Sequence, residues 1–432
     1  MNTFSLRQTP GLCAAALLSL AASSPLQAMT LREAAEQALQ SDPRLQIADS
    51  AVRASQADVD LAAAGFRPKV NASASVAAQR FYLQSALQGL PPLGLMNPAA
   101  VSLHASQSLY SGGLNDARKS SSQSALESAQ HSETQTRQAL LLETAVAYFE
   151  VVRDRAVTEV KRSEVQTLEQ AVSDTNKRFD AGEATRTDVA QASARLAEAR
   201  ADLRGAQAAL ASSEASFRRV VGVNPDALQP DPPVPQVPAT QQDALEAVDQ
   251  TPEVQAALAR AKAQQAAIAS AQAARRPTLS LEGSAGEQND SQFSPDSYHN
   301  WSVQLKASVP IYAGGAIDAQ VAKARAEAAQ AQAQVDDARR GAAERITRAW
   351  DTLQAAIEEV RAYDAAAQAN ALALENVHKE LEVGTRTTLD LLNAERDKIA
   401  SEVNFEVSKG TRAVAAFELL DACGRLRLED MR

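Results

Sequence analysis

The sequence predicts a mainly α-helical protein with membrane β-strands, built from two copies of one structural repeat. The first observation is a phrase written twice, "FDAGEATRTDV" at 179–189 and "LEVGTRTTLDL" at 381–391, whose glycine, threonine and aspartate recur at one constant spacing of 202 residues. The second is a pair of very long segments that contain no proline and almost no glycine. The third is a set of four segments in which apolar and polar residues alternate. Together they predict long helical coiled-coil hairpins and four strands per chain.

The duplication extends far beyond the phrase. Residues 39–70 match residues 248–279, and "LYSGG" at 109–113 matches "IYAGG" at 311–315. A proline-rich segment separates the two copies. We therefore predict a first repeat at 29–222, a linker at 223–240 and a second repeat at 241–432.

The first 28 residues have the pattern of an export signal. Arg7 provides the positive start, residues 11–22 form an apolar stretch, and "SPLQA" ends in a cleavage site after Ala28. Removal of this segment leaves Cys423 as the one cysteine, which excludes an intramolecular disulfide in the mature chain.

Each repeat begins with an alanine-rich segment of helical character. We expect Leu31–Ala64 to form one helix of about 34 residues, roughly 50 Å long, and Asp243–Ala274 to form its counterpart. Pro68 and Pro277 follow these segments, and a proline favours extended backbone at the residue before it.

Two strands follow the helix in each repeat. They are predicted at 67–82 and 100–110 in the first repeat, and at 276–286 and 300–312 in the second. The clearest is "WSVQLKASVPI" at 301–311, in which apolar residues occupy every second position.

Strands of about 11 residues suit a bilayer, but four strands are too few to close a membrane barrel. Several chains must therefore contribute strands to one barrel. Two chains would give eight strands and three would give twelve, and the pattern alone does not choose between them.

The proline-free segments predict the longest helices of the chain. Leu114–Ala181 and Ala316–Val383 would each span about 100 Å as helix. Helices over Thr187–Val221 and Thr387–Cys423 then run back, with apolar residues spaced as in a coiled coil. The repeated phrase thus falls at the two hairpin tips, 180–188 and 382–390.

The composition of the phrase predicts tight turns at both tips. A glycine suits the left-handed residue that ends a helix, and Thr-x-x-Asp is the pattern of a capping box that starts the next one. The residues predicted to make the tip turns are Gly182, Thr185 and Asp188 in the first repeat, and Gly384, Thr387 and Asp390 in the second.

Other classes of function find little support. The net charge is −10 and no basic stripe is present, which argues against nucleic acid as a partner. The four histidines are isolated, so no catalytic, cofactor-binding or metal-ligating residues are predicted. The main alternative is a periplasmic coiled-coil adaptor or scaffold without a pore, but such a protein has no need of two bilayer-length strand pairs.

Taken together, the signal, the duplicated plan, "LYSGG/IYAGG" and "VGTRTTLDLLNAE" at 383–395 resemble the TolC family of outer-membrane ducts. The resemblance implies a homotrimer in the outer membrane of a Gram-negative bacterium, with a twelve-stranded β-barrel in the lipid continued by an α-barrel across the periplasm. It implies a passive exit duct of an efflux pump or a type I secretion system. Its partners would be a periplasmic adaptor (membrane fusion protein) and an inner-membrane pump or ABC transporter. The cargo, whether drug, protein or metal, stays open.

The resemblance also implies a gate at the tips. In the family, an arginine of the second tip bonds residues of the first, and the matching positions here are Arg386, Thr187 and Asp188. A tyrosine of that network is replaced by Leu381. The family carries two rings of aspartate at the constriction, where Asp390 matches one ring and Asn393 stands at the other. The positions expected to contact the partners are Gly182, Gly384, Thr185 and Thr387.

Overall fold

A computed structural model describes residues 28–80, 95–289 and 297–431 of the 432-residue chain. The predicted export signal lies almost wholly outside the described residues, as do the end of the predicted strand 67–82 and parts of the segments between the two predicted strands of each repeat.

Two helices, not one, open the first repeat: α1 at Leu31–Ser41 and α2 at Pro43–Ala64. The prediction of a single helix over Leu31–Ala64 is therefore wrong. Pro43 has no N–H and stands in the first turn of α2, where a helix needs none. Asp42 caps α2 by accepting the Arg44 backbone N–H at 2.7 Å.

The second repeat begins with a similar break. The proline-rich segment leads into α5 at Gln241–Leu245, a 3₁₀ turn at Val248–Gln250 and α6 at Pro252–Ala273. A single helix over Asp243–Ala274 is thus also wrong, and Pro252 again stands at the first position of the later helix.

The strands form two sheets. Strand β1 is Lys69–Val76, and Gln79–Arg80 (β2) pairs with Leu95–Met96 (β3) in a separate short ribbon. Strand β4 is Ala99–Tyr110. The second repeat provides β5 at Thr278–Asn289 and β6 at Tyr298–Ser308.

The main sheet is antiparallel, with strand order β1-β4-β5-β6. The two repeats therefore meet in its centre, and β1 and β6 are its edges. Strand β6 ends at Ser308, whereas the sequence predicted a strand to 312. Pro310 cannot donate a ladder hydrogen bond, so continuation of the strand past this residue is disfavoured.

The two faces of this sheet differ in chemistry. On the polar face, the serine hydroxyls of Ser73 and Ser102 are hydrogen-bonded at 2.8 Å, and those of Ser284 and Ser302 at 2.9 Å. The other face carries exposed apolar side chains; these include Val70, Val101, Leu103, Trp301, Val303 and Leu305. The alternation predicted from the sequence is therefore present as a two-faced sheet.

Long helices leave the sheet directly. Helix α3 spans Leu114–Asp180 and α7 spans Ala316–Glu382, with 67 residues each. Left-handed glycines precede both, Gly113 at φ 89° and Gly315 at φ 82°. Each helix is continuous over about 100 Å, which confirms the long helices predicted from the absence of proline.

The return helices complete two hairpins. Helix α4 is Arg186–Val221 and α8 is Thr388–Ala422. Helix α4 packs along α3, α8 packs along α7, and α8 also packs against α3. None of the helices in the described ranges is long and apolar enough to cross a membrane.

The largest core lies far from the tips, where α1, α3, α4 and α8 meet. Phe149 contacts Tyr148 edge to face at 6.0 Å between ring centroids, and Phe417 lies 5.8 Å from Phe149. The Tyr148 hydroxyl accepts the Gln229 N–H at 2.8 Å and is 2.8 Å from the Met29 carbonyl oxygen. The proline-rich segment is thereby fixed to the core.

Candidate functional site at the hairpin tips

The first tip is a left-handed glycine turn. Helix α3 ends at Asp180, and Gly182 follows with φ 82°. The Glu183 N–H donates to the Arg178 carbonyl oxygen at 2.8 Å, which satisfies one of the last carbonyls of the helix.

The second tip repeats this geometry. Gly384 has φ 79°, and the Thr385 N–H donates to the Glu380 carbonyl oxygen at 2.9 Å. The Thr385 hydroxyl donates to the same oxygen at 2.9 Å, whereas at the first tip the second donor to the matching Arg178 carbonyl oxygen is the Ala184 N–H at 3.3 Å. No heavy atom would lie within 4 Å of a Cβ added at either Gly182 or Gly384, so both turns are open on that side.

Capping boxes begin both return helices. Asp188 N–H donates to Thr185 Oγ1 at 3.2 Å, and Thr185 N–H donates to Asp188 Oδ2 at 2.8 Å. At the second tip the same two bonds join Asp390 and Thr387 at 3.2 and 3.0 Å. In each box the threonine hydroxyl also donates to the aspartate at 2.7 Å.

These bonds set the charge state of the two aspartates. The backbone N–H and hydroxyl of Thr185 lower the pKa of the Asp188 carboxyl, and those of Thr387 do the same for Asp390. The guanidinium of Arg386 lowers the pKa of Asp390 further. Both aspartates are therefore stabilised as anions at the tips.

Arg386 forms an ion pair inside its own hairpin. Its Nε donates to Glu380 Oε2 at 2.7 Å, and both side chains are about half exposed, 50% and 47%. Within one chain Arg386 bonds neither Thr187 nor Asp188, so the link between the two tips stays a prediction.

The other predicted site residues take different positions. Thr187 is exposed on the first turn of α4, and Leu381 is half-buried at the end of α7. Asn393 is half-buried one turn beyond Asp390. The structure thus brings Arg386, Asp390 and Thr387 into one turn, and it holds Asp188 and Thr185 in another.

Sequence reasoning missed Glu380. Glu380 precedes Arg386 by six residues, a spacing that predicts no contact between two side chains of one helix. The glycine turn between them brings the charges together. Within the ranges described, no group of three or more histidine, cysteine, aspartate or glutamate residues is arranged to hold a metal ion.

Similarity to known proteins extends over both repeats of the chain. The family model described as "Outer membrane efflux protein" matches residues 34–223 and 244–425, once for each repeat. The outer membrane efflux protein BepC of Brucella suis is 28% identical over 405 residues, which cover 93% of this chain and 87% of that protein. The outer membrane protein TolC of Vibrio cholerae is 26% identical over 306 residues, 68% of this chain and 70% of that protein.

A solved structure has the same fold. The outer membrane protein VceC of Vibrio cholerae superimposes with a TM-score of 0.78 at 23% identity, covering 91% of this chain and 96% of that chain. The likeness therefore extends over most of both chains.

Proposed function

Because the chain belongs to the outer membrane efflux protein family, we propose that it is a passive exit duct, gated at its hairpin tips and opened by docking of an inner-membrane transporter and an adaptor. As a member of this family it is an outer-membrane channel for efflux or secretion, and not an enzyme. The trimer, the gate and the partners are the parts that we propose.

The main support for the proposed duct is the two-faced sheet with open edges. Its apolar face suits lipid, its hydroxyl-lined face suits a water-filled interior, and unpaired edges are not tolerated in a bilayer. Edge β1 of one chain would pair with edge β6 of the next. Three copies would give twelve strands, and the long helices would continue the wall into the periplasm.

Weak contacts at the tips support the gate. An exposed ion pair is screened by water and contributes little to stability, so the pair of Arg386 and Glu380 is easily broken. In the closed trimer Arg386 would instead bond Thr187 and Asp188, and Asp390 would place one ring of charge at the constriction. Leu381 and Asn393 would leave this gate with fewer polar links and less charge than in the related ducts.

The exposed turns support docking at the same end. Gly182, Thr185, Gly384 and Thr387 form short protrusions with rigid backbone geometry, and Val383 beside them is 75% exposed. A periplasmic adaptor and an inner-membrane pump or ABC transporter would engage this end of the tube. The scaffold alternative is not favoured, because it gives no role to an exposed apolar sheet face.

The first experiment is electron microscopy of the protein extracted in mild detergent, followed by recording in planar lipid bilayers. We expect three-fold particles with a micelle at one end and a helical tube of about 100 Å beyond it. Discrete conductance steps are expected from the same preparation. Flexible rods without a micelle, and no conductance, would favour the scaffold.

A further inference from the structure

A cavity of about 320 Å³ lies between the two hairpins, among α3, α4, α7 and α8. Its apolar wall includes Leu168, Leu374, Leu392 and Ile399. It lies on the contact between α8 and α3, about 16 Å from the second tip at helical rise. We call this contact, with its cavity, the hairpin seam.

One carboxyl group in the hairpin seam lacks a partner. Glu395 of α8 lines the cavity, and its Oε2 is fully buried without a hydrogen bond. Burial raises the pKa of this carboxyl, and the nearby carboxylate of Glu164 on α3 raises it further. His378 on α7 acts in the opposite direction.

The cations around the seam do not neutralise Glu395, because they pair with other acids. The charged groups that face it from the four helices are Lys161 with Glu164 at 2.9 Å and Asp202 at 3.1 Å, Arg195 with Glu198 at 3.0 Å, Arg396 with Asp397 at 2.8 Å, Lys398 with Glu402 at 2.6 Å, and His378 with Glu382 at 3.4 Å. A buried ionised carboxylate without a partner is costly.

We infer that Glu395 makes the hairpin seam sensitive to pH: α8 stays packed on α3 while the Glu395 carboxyl is protonated, and the contact loosens when it ionises. This inference rests on the proposed gated duct and names a regulation of its gate. Helix α8 connects the seam to the capping box of Thr387 and Asp390, so a looser seam frees the second tip to move.

The direction of the pH dependence follows from which state of the seam binds the proton more tightly. The packed seam binds the Glu395 proton more tightly than a separated seam, where water solvates the carboxylate. Packing is therefore most stable at pH values below the pKa of the solvated carboxyl, and it weakens as the pH rises through the higher pKa of the packed one. The duct should open more readily at the higher pH.

The test is single-channel recording of the purified trimer in planar bilayers between pH 5 and 8. The wild type is expected to show an open probability that rises with pH. Glu395→Gln introduces a neutral side chain of nearly the same shape. Its open probability is expected to stay, at every pH, at the low value that the wild type shows at low pH. Should this variant fail to assemble, Glu395→Met provides a neutral side chain without polar atoms.

Two variants serve as controls. Glu198→Gln removes a charge from the wall of the same cavity, but Glu198 already pairs with Arg195, so the rise with pH is expected to remain. His378→Gln separates the contribution of the imidazole, since histidine can also change charge in this range.

The outcomes distinguish failure of the proposed role of Glu395 from failure of the proposed duct. A pH dependence that survives in Glu395→Gln, or one that is absent from the wild type, overturns the role of Glu395 and leaves the duct intact. If no variant conducts at any pH, the proposed duct itself fails.

Discussion

At the scale of single residues, the second tip combines a rigid turn with a weak ion pair. The Thr387 and Asp390 box uses three hydrogen bonds to fix the start of α8. Arg386 has one short bond to Glu380, and both side chains remain half exposed. The turn thus holds its shape while the arginine can exchange partners at little cost.

We therefore expect Arg386→Ala to raise the single-channel conductance, because the closed gate would lose the proposed link between Arg386 and the first tip. Thermal stability should change little, as is usual for an exposed pair. Lys379→Ala is the matched control, since Lys379 pairs with Glu375 on the outside of α7. Unchanged conductance in Arg386→Ala would remove this residue from the gate.

Asp421, near the end of α8, gives a second prediction at this scale. Burial, together with the charge of Glu418, raises the pKa of the Asp421 carboxyl from 3.8 to about 6, despite the opposing charge of Arg345. Its contribution to stability is fully present below pH 3.8 and is lost as the pH rises to about 6.

Asp421→Asn should accordingly stabilise the protein by up to about 3 kcal/mol at pH 7 and have little effect at pH 4. Thermal unfolding of the detergent-solubilised protein at both pH values measures the difference. Asp337→Asn, at an exposed position of α7, should leave the pH profile unchanged. Equal effects of Asp421→Asn at both pH values would contradict the burial argument.

Sequence reasoning identified the turn and capping residues but not the charges that act across space. Gly384, Thr387 and Asp390 belong to short-range patterns with a fixed geometry, so their roles in the turn follow from spacing alone. The contact that Glu380 makes and the burial of Glu395 depend instead on how distant parts of the chain fold together. Glu380 meets Arg386 only through the turn, and Glu395 is buried only because two hairpins pack together.

At the scale of elements, two glycines, Gly384 and Gly205, differ in backbone conformation. Gly384 ends a helix with φ 79°, whereas Gly205 lies inside α4; a Cβ at either position would meet nothing within 4 Å. Steric contact therefore contributes to neither substitution, and only backbone preference distinguishes them.

We expect Gly384→Ala to destabilise the protein by about 1 kcal/mol, because alanine disfavours the left-handed region. Gly205→Ala should stabilise it by about 0.5–1 kcal/mol, because alanine favours helix. Thermal unfolding of the two variants side by side tests both signs. A neutral Gly384→Ala would mean that the tip is not fixed in the left-handed turn.

The limits of sequence reasoning also differ among elements. The long helices α3 and α7 were predictable, because 67 residues without a proline leave no natural break. The break between α1 and α2 was missed because apolar residues at helical spacing lie on both sides of it. Asp42 followed by Pro43 is itself a helix-start signal, and giving it more weight than the periodicity would have placed the boundary.

At the scale of the whole molecule, one aspartate per chain would become a ring only in the proposed trimeric duct. Three copies of Asp390 at a narrow tip would attract cations and disfavour anions. Asp390→Asn should therefore weaken cation selectivity, which a reversal potential in a salt gradient measures. Asp180→Asn, at the end of α3 outside either capping box, is the control for loss of charge at the tips. An unaltered reversal potential in Asp390→Asn would count against the ring.

The last prediction concerns the two faces of the sheet. In the proposed barrel, alternate residues of one strand would face lipid and water. Val303 of β6 is 68% exposed in the single chain and belongs to the apolar face, whereas Ser302 belongs to the polar one. A lysine facing lipid costs about 2–4 kcal/mol near the bilayer centre, and one facing a water-filled interior costs far less.

The proposed trimer would multiply this difference, since each of its three chains would carry the substitution. Val303→Lys should therefore sharply reduce the amount of trimer recovered from outer membranes, while Ser302→Lys at the adjacent position should leave assembly close to that of the wild type. Both are measured by membrane fractionation and native electrophoresis. Equal recovery of the two variants would mean that the apolar face does not meet lipid, and the twelve-stranded arrangement would have to be abandoned.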